Sequence, residues 1–290
     1  MDKIIDYAFS LLPQRLRYVE GMLSDKKYQS LRELRLRVGH PLMAECLPEA
    51  LFFDTLTPDD IRYTVEKISD HSLSSIREKL RQGFVTLKYG CRVGLAGQAV
   101  IKNGQIDTVS DINGISIRIP REKRGCADGL LPYITAGGTL RSAVILSPPM
   151  MGKTTLLREI ARLLGQSFNV CIIDERSEIA ACSMGVPQFD VGIRTDVLDN
   201  VPKAIGIPMA IRSLSPNVII TDEIGGTEDR DALADAARCG CAFVASMHAA
   251  SLEDAKSRKG CSALLADGTV KVAVILSSRN VGQIERIVDL

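Results

Sequence analysis

The sequence predicts an α/β chain: a parallel, helix-covered sheet in its larger part, preceded by a small α+β region. Three observations carry that expectation. From about residue 139, short apolar runs alternate with amphipathic helical stretches, the pattern of strands joined by crossover helices. Three of those runs end in acids or a histidine. Before residue 125 the apolar spacing passes from helical to alternating, as in short antiparallel strands. The expected divisions are 1–125 for the first domain, 126–138 for a linker and 139–290 for the second domain.

A length of 290 residues can bury a large core, as one large domain or two smaller ones, and 46% hydrophobic with 24% charged residues is ordinary for a soluble protein. The net charge is +1 and aromatic residues make up only 4%, with no Trp, which argues against a nucleic-acid-coating surface that stacks bases. No apolar run approaches the roughly 18–20 residues of a membrane span. Acids interrupt the N-terminal MDKIIDYAFSLL, unlike a secretory leader. The eight scattered cysteines suit a reducing compartment, so a cytoplasmic protein is expected. Cys239 and Cys241 form the one close pair, with neither a second pair nor a nearby His to complete a metal site.

In the first region, Ile4, Ile5, Ala8, Leu11 and Leu12 recur at helical spacing until Pro13. Leu31, Leu34, Leu36 and Val38 alternate with Arg32, Arg35 and Arg37, which predicts a strand whose basic face is either solvated or turned to phosphates or an acidic partner. Thr57 as N-cap, Pro58 at the first helical position and Asp59-Asp60 in the first turn predict a helix start. A second helix is expected over 72–82, stopped by Gly83. FVTLKYG, CRVGLAGQAVIK, QIDTVSD and ISIRIP read as separate short strands, with Asn103-Gly104 as a hairpin turn. The stretch RIPREKRGCADGLLPYITAGG reads as interdomain chain. Its Arg118 and Arg121 are either surface charge or able to reach a nucleotide held across a domain or subunit boundary.

The second region opens on RSAVILSPPMMGKTTLLREIARLL, a buried strand over 143–146, a loop, and an amphipathic helix carrying Leu156, Leu157, Ile160, Ala161 and Leu164. Strand, loop, Gly-Lys-Thr, helix is the layout of a P-loop. Ser147, Pro148, Pro149, Met150, Met151, Gly152, Lys153, Thr154 and Thr155 are therefore the candidate phosphate-binding residues. One position departs from G-x-x-x-x-G-K-[ST]: the leading glycine is Ser147. The run 170–173 leads to Asp174-Glu175, 218–221 to Asp222-Glu223 and 242–246 to His248. Another strand is expected over 271–277, and QIERIVDL as a closing edge strand. In such sheets ligands bind at the carboxyl ends of the strands. Lys153 then suits the β- and γ-phosphates of a bound triphosphate, with the Thr154 hydroxyl and Asp222 on Mg²⁺. Successive strand residues diverge, so Glu223 can polarise the attacking water while Asp222 faces the metal. Glu175 can replace Glu223 as the base; alternatively, Asp174 and Glu175 are partners of Arg176 or Lys153. His248 suits either the γ-phosphate or a bond to Glu223. Arg212 either touches phosphate, in its own or a neighbouring subunit, or caps a helix.

PPMMGKTTLLREIAR, VCIIDERSEIAA, IRSLSPNVIITDEIG and SMHAAS, in this order, together with GCRVGLAGQAVIKNGQIDTVSDINGISIRIPRE, resemble the stage III sporulation protein AA family from about residue 30 onward. That family is similar to the traffic ATPases of type II and type IV secretion. The resemblance implies a RecA-like P-loop ATPase domain behind a small α+β domain. Gly152 to Thr155 match its P-loop, Asp174 and Glu175 its acidic box, Glu223 its strand-end glutamate and His248 its histidine box. Arg118 and Arg121 fall where such N-terminal domains present arginines to nucleotide. It further implies ATP and Mg²⁺ as ligands, with no other metal, and a homo-hexameric ring. Such a ring would work in the mother cell of an endospore former and energise a channel to the forespore. It would be peripheral at the membrane, docked on integral-membrane partners. A RecA-like nucleic-acid-dependent ATPase and a nucleotide-binding scaffold are the competing readings.

Overall fold

The backbone hydrogen bonds form two separate sheets, one for each end of the chain. The computed structural model describes residues 3–69, 84–102, 104–257 and 264–290; the helix expected over 72–82 lies outside them. Two compact units result, Met1–Pro120 and Arg121–Leu290.

The first unit begins with helices α1 (Lys3–Ser10), α2 (Tyr18–Met22) and α3 (Asp25–Ser30). Strands β1 (Leu31–Arg37), β2 (Pro41–Cys46) and β3 (Glu49–Thr55) follow, then α4 (Pro58–Ile68). Strands β4 (Val85–Thr86), β5 (Arg92–Lys102) and β6 (Gln105–Arg118) complete an antiparallel sheet of order β3-β2-β1-β6-β5-β4. Leu34 and Leu36 of β1, Leu42 and Ala44 of β2 and Ile115 and Ile117 of β6 share one core with Ile5 and Phe9 of α1 and Ile61 and Val65 of α4. The basic face expected on β1 is partly neutralised: Arg35 Nε donates to Glu33 Oε1 at 2.6 Å. Helix α4 starts as its sequence predicts. Thr57 Oγ1 accepts from Asp60 N while Asp60 Oδ2 accepts from Thr57 N at 2.7 Å, a reciprocal cap.

Two expectations change here. QIDTVSD and ISIRIP are one continuous strand, β6, because a slip in register carries it past its irregular middle. The slip lies at Gly97, where a Cβ would meet Ser110 O at 2.4 Å, and opposite it Asp111 takes φ 44°. The linker expected over 126–138 belongs to the second unit: Ala127, Leu130 and Ile134 are fully buried in its core, and α5 (Leu131–Ile134) forms there.

The second unit holds β7 (Ala143–Ser147), α6 (Lys153–Leu164), β8 (Val170–Asp174) and β9 (Thr195–Asp199). Then come α7 (Lys203–Leu214), β10 (Val218–Glu223), α8 (Thr227–Arg238) and β11 (Ala242–His248). Helix α9 (Leu252–Ser257), β12 (Val272–Leu276) and β13 (Ile284–Asp289) close it. The sheet order is β13-β12-β7-β11-β10-β8-β9, parallel throughout except for antiparallel β13 at one edge. Alternate strand residues enter opposite cores. Ala143 and Ile145 pack with Leu156, Leu157 and Ile160 of α6, while Val144 and Leu146 pack with Ile207 of α7 and Leu233 and Ala236 of α8. A sheet covered on both faces explains why β7 and β8 are apolar without alternation.

Candidate functional site

The register of the parallel strands brings the polar ends together. Ser147 at the end of β7 pairs with His248 at the end of β11, and Glu223 of β10 pairs with Ser246. The β10–β11 register slips between Thr221 and Glu223, so Asp222 and Glu223 leave the strand in different directions.

The loop after β7 ends in Gly152 at φ 92°, a left-handed turn that starts α6. Space also requires a glycine there, since a Cβ would lie 3.1 Å from Gly282 Cα. Gly282 N donates to Met151 O at 3.0 Å, so the turn between β12 and β13 rests on the loop. Pro148 and Pro149 shape the loop's start, and Met150 at φ 62° is exposed at its tip. Thr154 and Thr155 occupy the first turn of α6, half-buried.

Lys153 is only 9% exposed, and its Nζ has four hydrogen-bond partners. It reaches Ser147 O at 3.3 Å, Ser147 Oγ at 3.4 Å, Pro148 O at 3.1 Å and His248 Nδ1 at 3.0 Å. Ser147 Oγ itself donates to Pro148 O at 2.8 Å. The serine in place of the leading glycine is thus folded into the lysine's own cradle. An ammonium has no acceptor, so His248 Nδ1 accepts and its Nε2 carries the proton towards Glu223 Oε2, 3.0 Å away. Burial lowers the Lys153 pKa, and the nearby Glu223 charge opposes that shift.

A second cluster lies between β8 and β10. Lys203, the first residue of α7, is 4% exposed, and its Nζ stands 2.5 Å from Glu175 Oε2 and 2.7 Å from Asp222 Oδ1. Burial works against its charge, but the two carboxylates outweigh it and raise its pKa. Burial raises that of Asp222, against the pull of Lys203. Sequence reasoning missed Lys203, because nothing in VPKAIG marks a lysine that folds inward.

Asp174 is fully buried and does not face either lysine among its hydrogen bonds. Its Oδ1 accepts from Glu178 N at 2.8 Å, and its Oδ2 accepts from Ile179 N at 3.0 Å and Ala180 N at 2.9 Å. Burial pushes its pKa up to about 6 in spite of those three donors. Arg158 of α6, also missed from sequence, holds the same loop through its carbonyls. Its Nε donates to Ile179 O at 2.6 Å and its Nη2 to Glu178 O at 2.8 Å, and the guanidinium stacks 3.8 Å from the Phe189 ring centroid. Asp174 is therefore the anchor of the loop after β8, and Glu175 is the member of the pair that faces a cation.

The expected arginines part ways. Arg121 is half-buried, and its carbonyl accepts from Arg158 Nη1 at 3.4 Å. Arg118 is exposed at the end of β6, in the first unit. Arg212 is exposed in the last turn of α7, nine residues and about 14 Å along the helix from Lys203, so it does not join the clusters of its own subunit.

Among the described residues no helix is long and apolar enough to cross a membrane. Comparison with solved structures finds the same fold in an ATPase and in a pilus motor. The ATPase DotB of Legionella pneumophila is 17% identical with a TM-score of 0.60, the match covering 95% of this chain and 75% of that one. The pilus retraction motor PilT with bound ADP is 16% identical with a TM-score of 0.61, over 89% of this chain and 77% of that one. In sequence, stage III sporulation protein AA of Bacillus subtilis (strain 168) is 39% identical over 256 residues, covering 86% of this chain and 83% of the relative. The family model for sporulation stage III, protein AA, matches residues 4–290, first helix to last strand. The chain belongs to that family.

Proposed function

We propose that this protein is a Mg²⁺-dependent ATPase that acts as a secretion-type motor in endospore formation. The observation that carries the reading is Lys153: a buried ammonium at a strand–loop–helix junction whose hydrogen-bond partners are all uncharged. A desolvated cation with no anion in hydrogen-bond contact is costly, since Glu223 acts on it only from beyond His248, and the terminal phosphates of ATP would supply that contact. The N-terminus of α6, led by left-handed Gly152, adds backbone donors for the same anion. The donor set also fits Mg²⁺, a hard cation that takes oxygen ligands. Carboxylate oxygens of Glu175 and Asp222 converge on one cation already, the Lys203 ammonium. Thr154 and Asp222 would hold the ion, which neutralises charge on the phosphates when bound.

In this reading Ser147 to Thr155 hold the phosphates, and Glu223 orients and deprotonates the attacking water. His248 links that glutamate to the lysine that contacts phosphate. Arg118 and Arg121 stabilise charge developing in hydrolysis. The family and the fold support a ring of six subunits in the mother cell. It is docked through integral-membrane partners and energises a channel to the forespore. The test separates binding from chemistry. Lys153→Ala is expected to abolish binding of a fluorescent ATP analogue, while Glu223→Gln keeps binding and lowers turnover by about a hundredfold or more. Unchanged turnover in Glu223→Gln, or a salt-sensitive stimulation by single-stranded DNA or RNA, would overturn the reading.

A further inference from the structure

Lys203 has no place in the sequence pattern that points to the site, yet it is the residue most committed to two of the site's carboxylates. Its stem is buried, it starts α7, and its charge spans two strands: Glu175 follows β8 and Asp222 is the penultimate residue of β10. Without that charge, two carboxylates would face each other beside buried Asp174, with burial already disfavouring ionised Asp222. Asp222 cannot give its Oδ1 fully to a lysine and to a metal ion at once.

We propose that Lys203 is the resident cation of the metal subsite. Its ammonium holds Glu175 and Asp222 together in the absence of Mg²⁺ and gives up Asp222 when Mg²⁺ arrives. The inference rests on the assignment of Asp222 to Mg²⁺ made above. Lys203 is then a positioning residue that sets how much Mg²⁺ the site requires, and it competes with the metal for one oxygen. Glu175 keeps the lysine tethered during the exchange, so the ammonium stays beside the ion instead of leaving the pocket.

The test uses the full chain with Lys203→Gln, which keeps a hydrogen-bonding side chain without the charge, and Lys203→Arg, which keeps the charge. Two readouts are taken: the Mg²⁺ concentration that half-saturates binding of a fluorescent ATP analogue, and the thermal midpoint with and without Mg²⁺ alone. In Lys203→Gln the half-saturating Mg²⁺ concentration is expected to fall about tenfold, since a competing charge is gone. The same variant should melt below wild type without Mg²⁺ and regain most of that loss when Mg²⁺ is added. Lys203→Arg should stay within about twofold of wild type in its Mg²⁺ requirement, a rescue that a merely structural contact would not link to the metal. An unchanged or higher Mg²⁺ requirement in Lys203→Gln, in a protein that still binds nucleotide, overturns the lysine's role and leaves the ATPase reading intact. Stabilisation of Lys203→Gln by Mg²⁺, with no nucleotide binding in any form including wild type, keeps the lysine's role and overturns the ATPase reading.

Discussion

Single residues in this protein divide by what their charges face. The acids that read alike in sequence, Asp174-Glu175 and Asp222-Glu223, have three different surroundings. Asp174 faces three backbone N–H groups, Glu175 and Asp222 share a lysine, and Glu223 meets an imidazole. For Asp174 this has a direct consequence. In Asp174→Asn one oxygen becomes an amide donor pointed at backbone donors, on one side or the other of the loop. The variant should lose about 1–3 kcal/mol of stability in urea unfolding, with faster amide exchange at residues 178–180. Unaltered exchange there would mean that Arg158 alone holds the loop. That acids follow both strands is plain from the sequence. Which of them faces a cation is not, because the partners, Lys203 and the N–H groups of 178–180, come into place only when the chain folds back.

Elements were legible where their signals are local. Helix α4 is announced by Thr57-Pro58-Asp59-Asp60, and its cap forms as those residues require. Asp60 does more than cap, since its carboxylate also takes the Arg15 guanidinium, with Nε donating to Oδ1 at 2.8 Å. Burial opposes its charge, but Arg15 and Thr57 prevail and hold its pKa below the ordinary 3.8. A carboxylate with a depressed folded pKa contributes stability that is full above the unfolded value and is lost as the pH falls through the folded one. Urea midpoints of the full chain should therefore drop below about pH 4, and Asp60→Asn should make that acid limb shallower while lowering the midpoint at pH 7. An acid limb identical in the variant would assign it to other carboxylates. Strands β2, β3 and β9 were harder to read. PLMAEC and EALFFDT interrupt their alternation with small or acidic residues, and β9, an edge strand, is only half-buried. Hairpin partners and a neighbouring sheet edge, not residue pattern, make them strands.

At the scale of the whole chain, the change from alternating to crossover patterning announces two units, yet the boundary falls at 120 and not after 125. The glycines of 125–138 suggest a linker, but the apolar residues between them, Ala127, Leu130 and Ile134, are spaced to pack against the second core. The proposed ring makes a prediction at this scale. Light scattering should report six copies with a slowly hydrolysed ATP analogue; a monomer both with and without it would remove the motor from the proposal. The strand order carries one more consequence, for how the protein is made. The two neighbours of β7 are β11 and β12, which lie roughly 100 and 130 residues further along the chain. At about 5–20 residues per second, a ribosome releases β12 roughly 6–25 s after β7. Until β11 follows, after roughly 5–20 s at that rate, five consecutive residues destined for full burial have no native strand beside them. The loop after β7 is among the early parts to be synthesised in its unit and among the last to be finished. Nascent chains halted before residue 242 should consequently be sticky, protease-sensitive and dependent on chaperones, whatever nucleotide surrounds them.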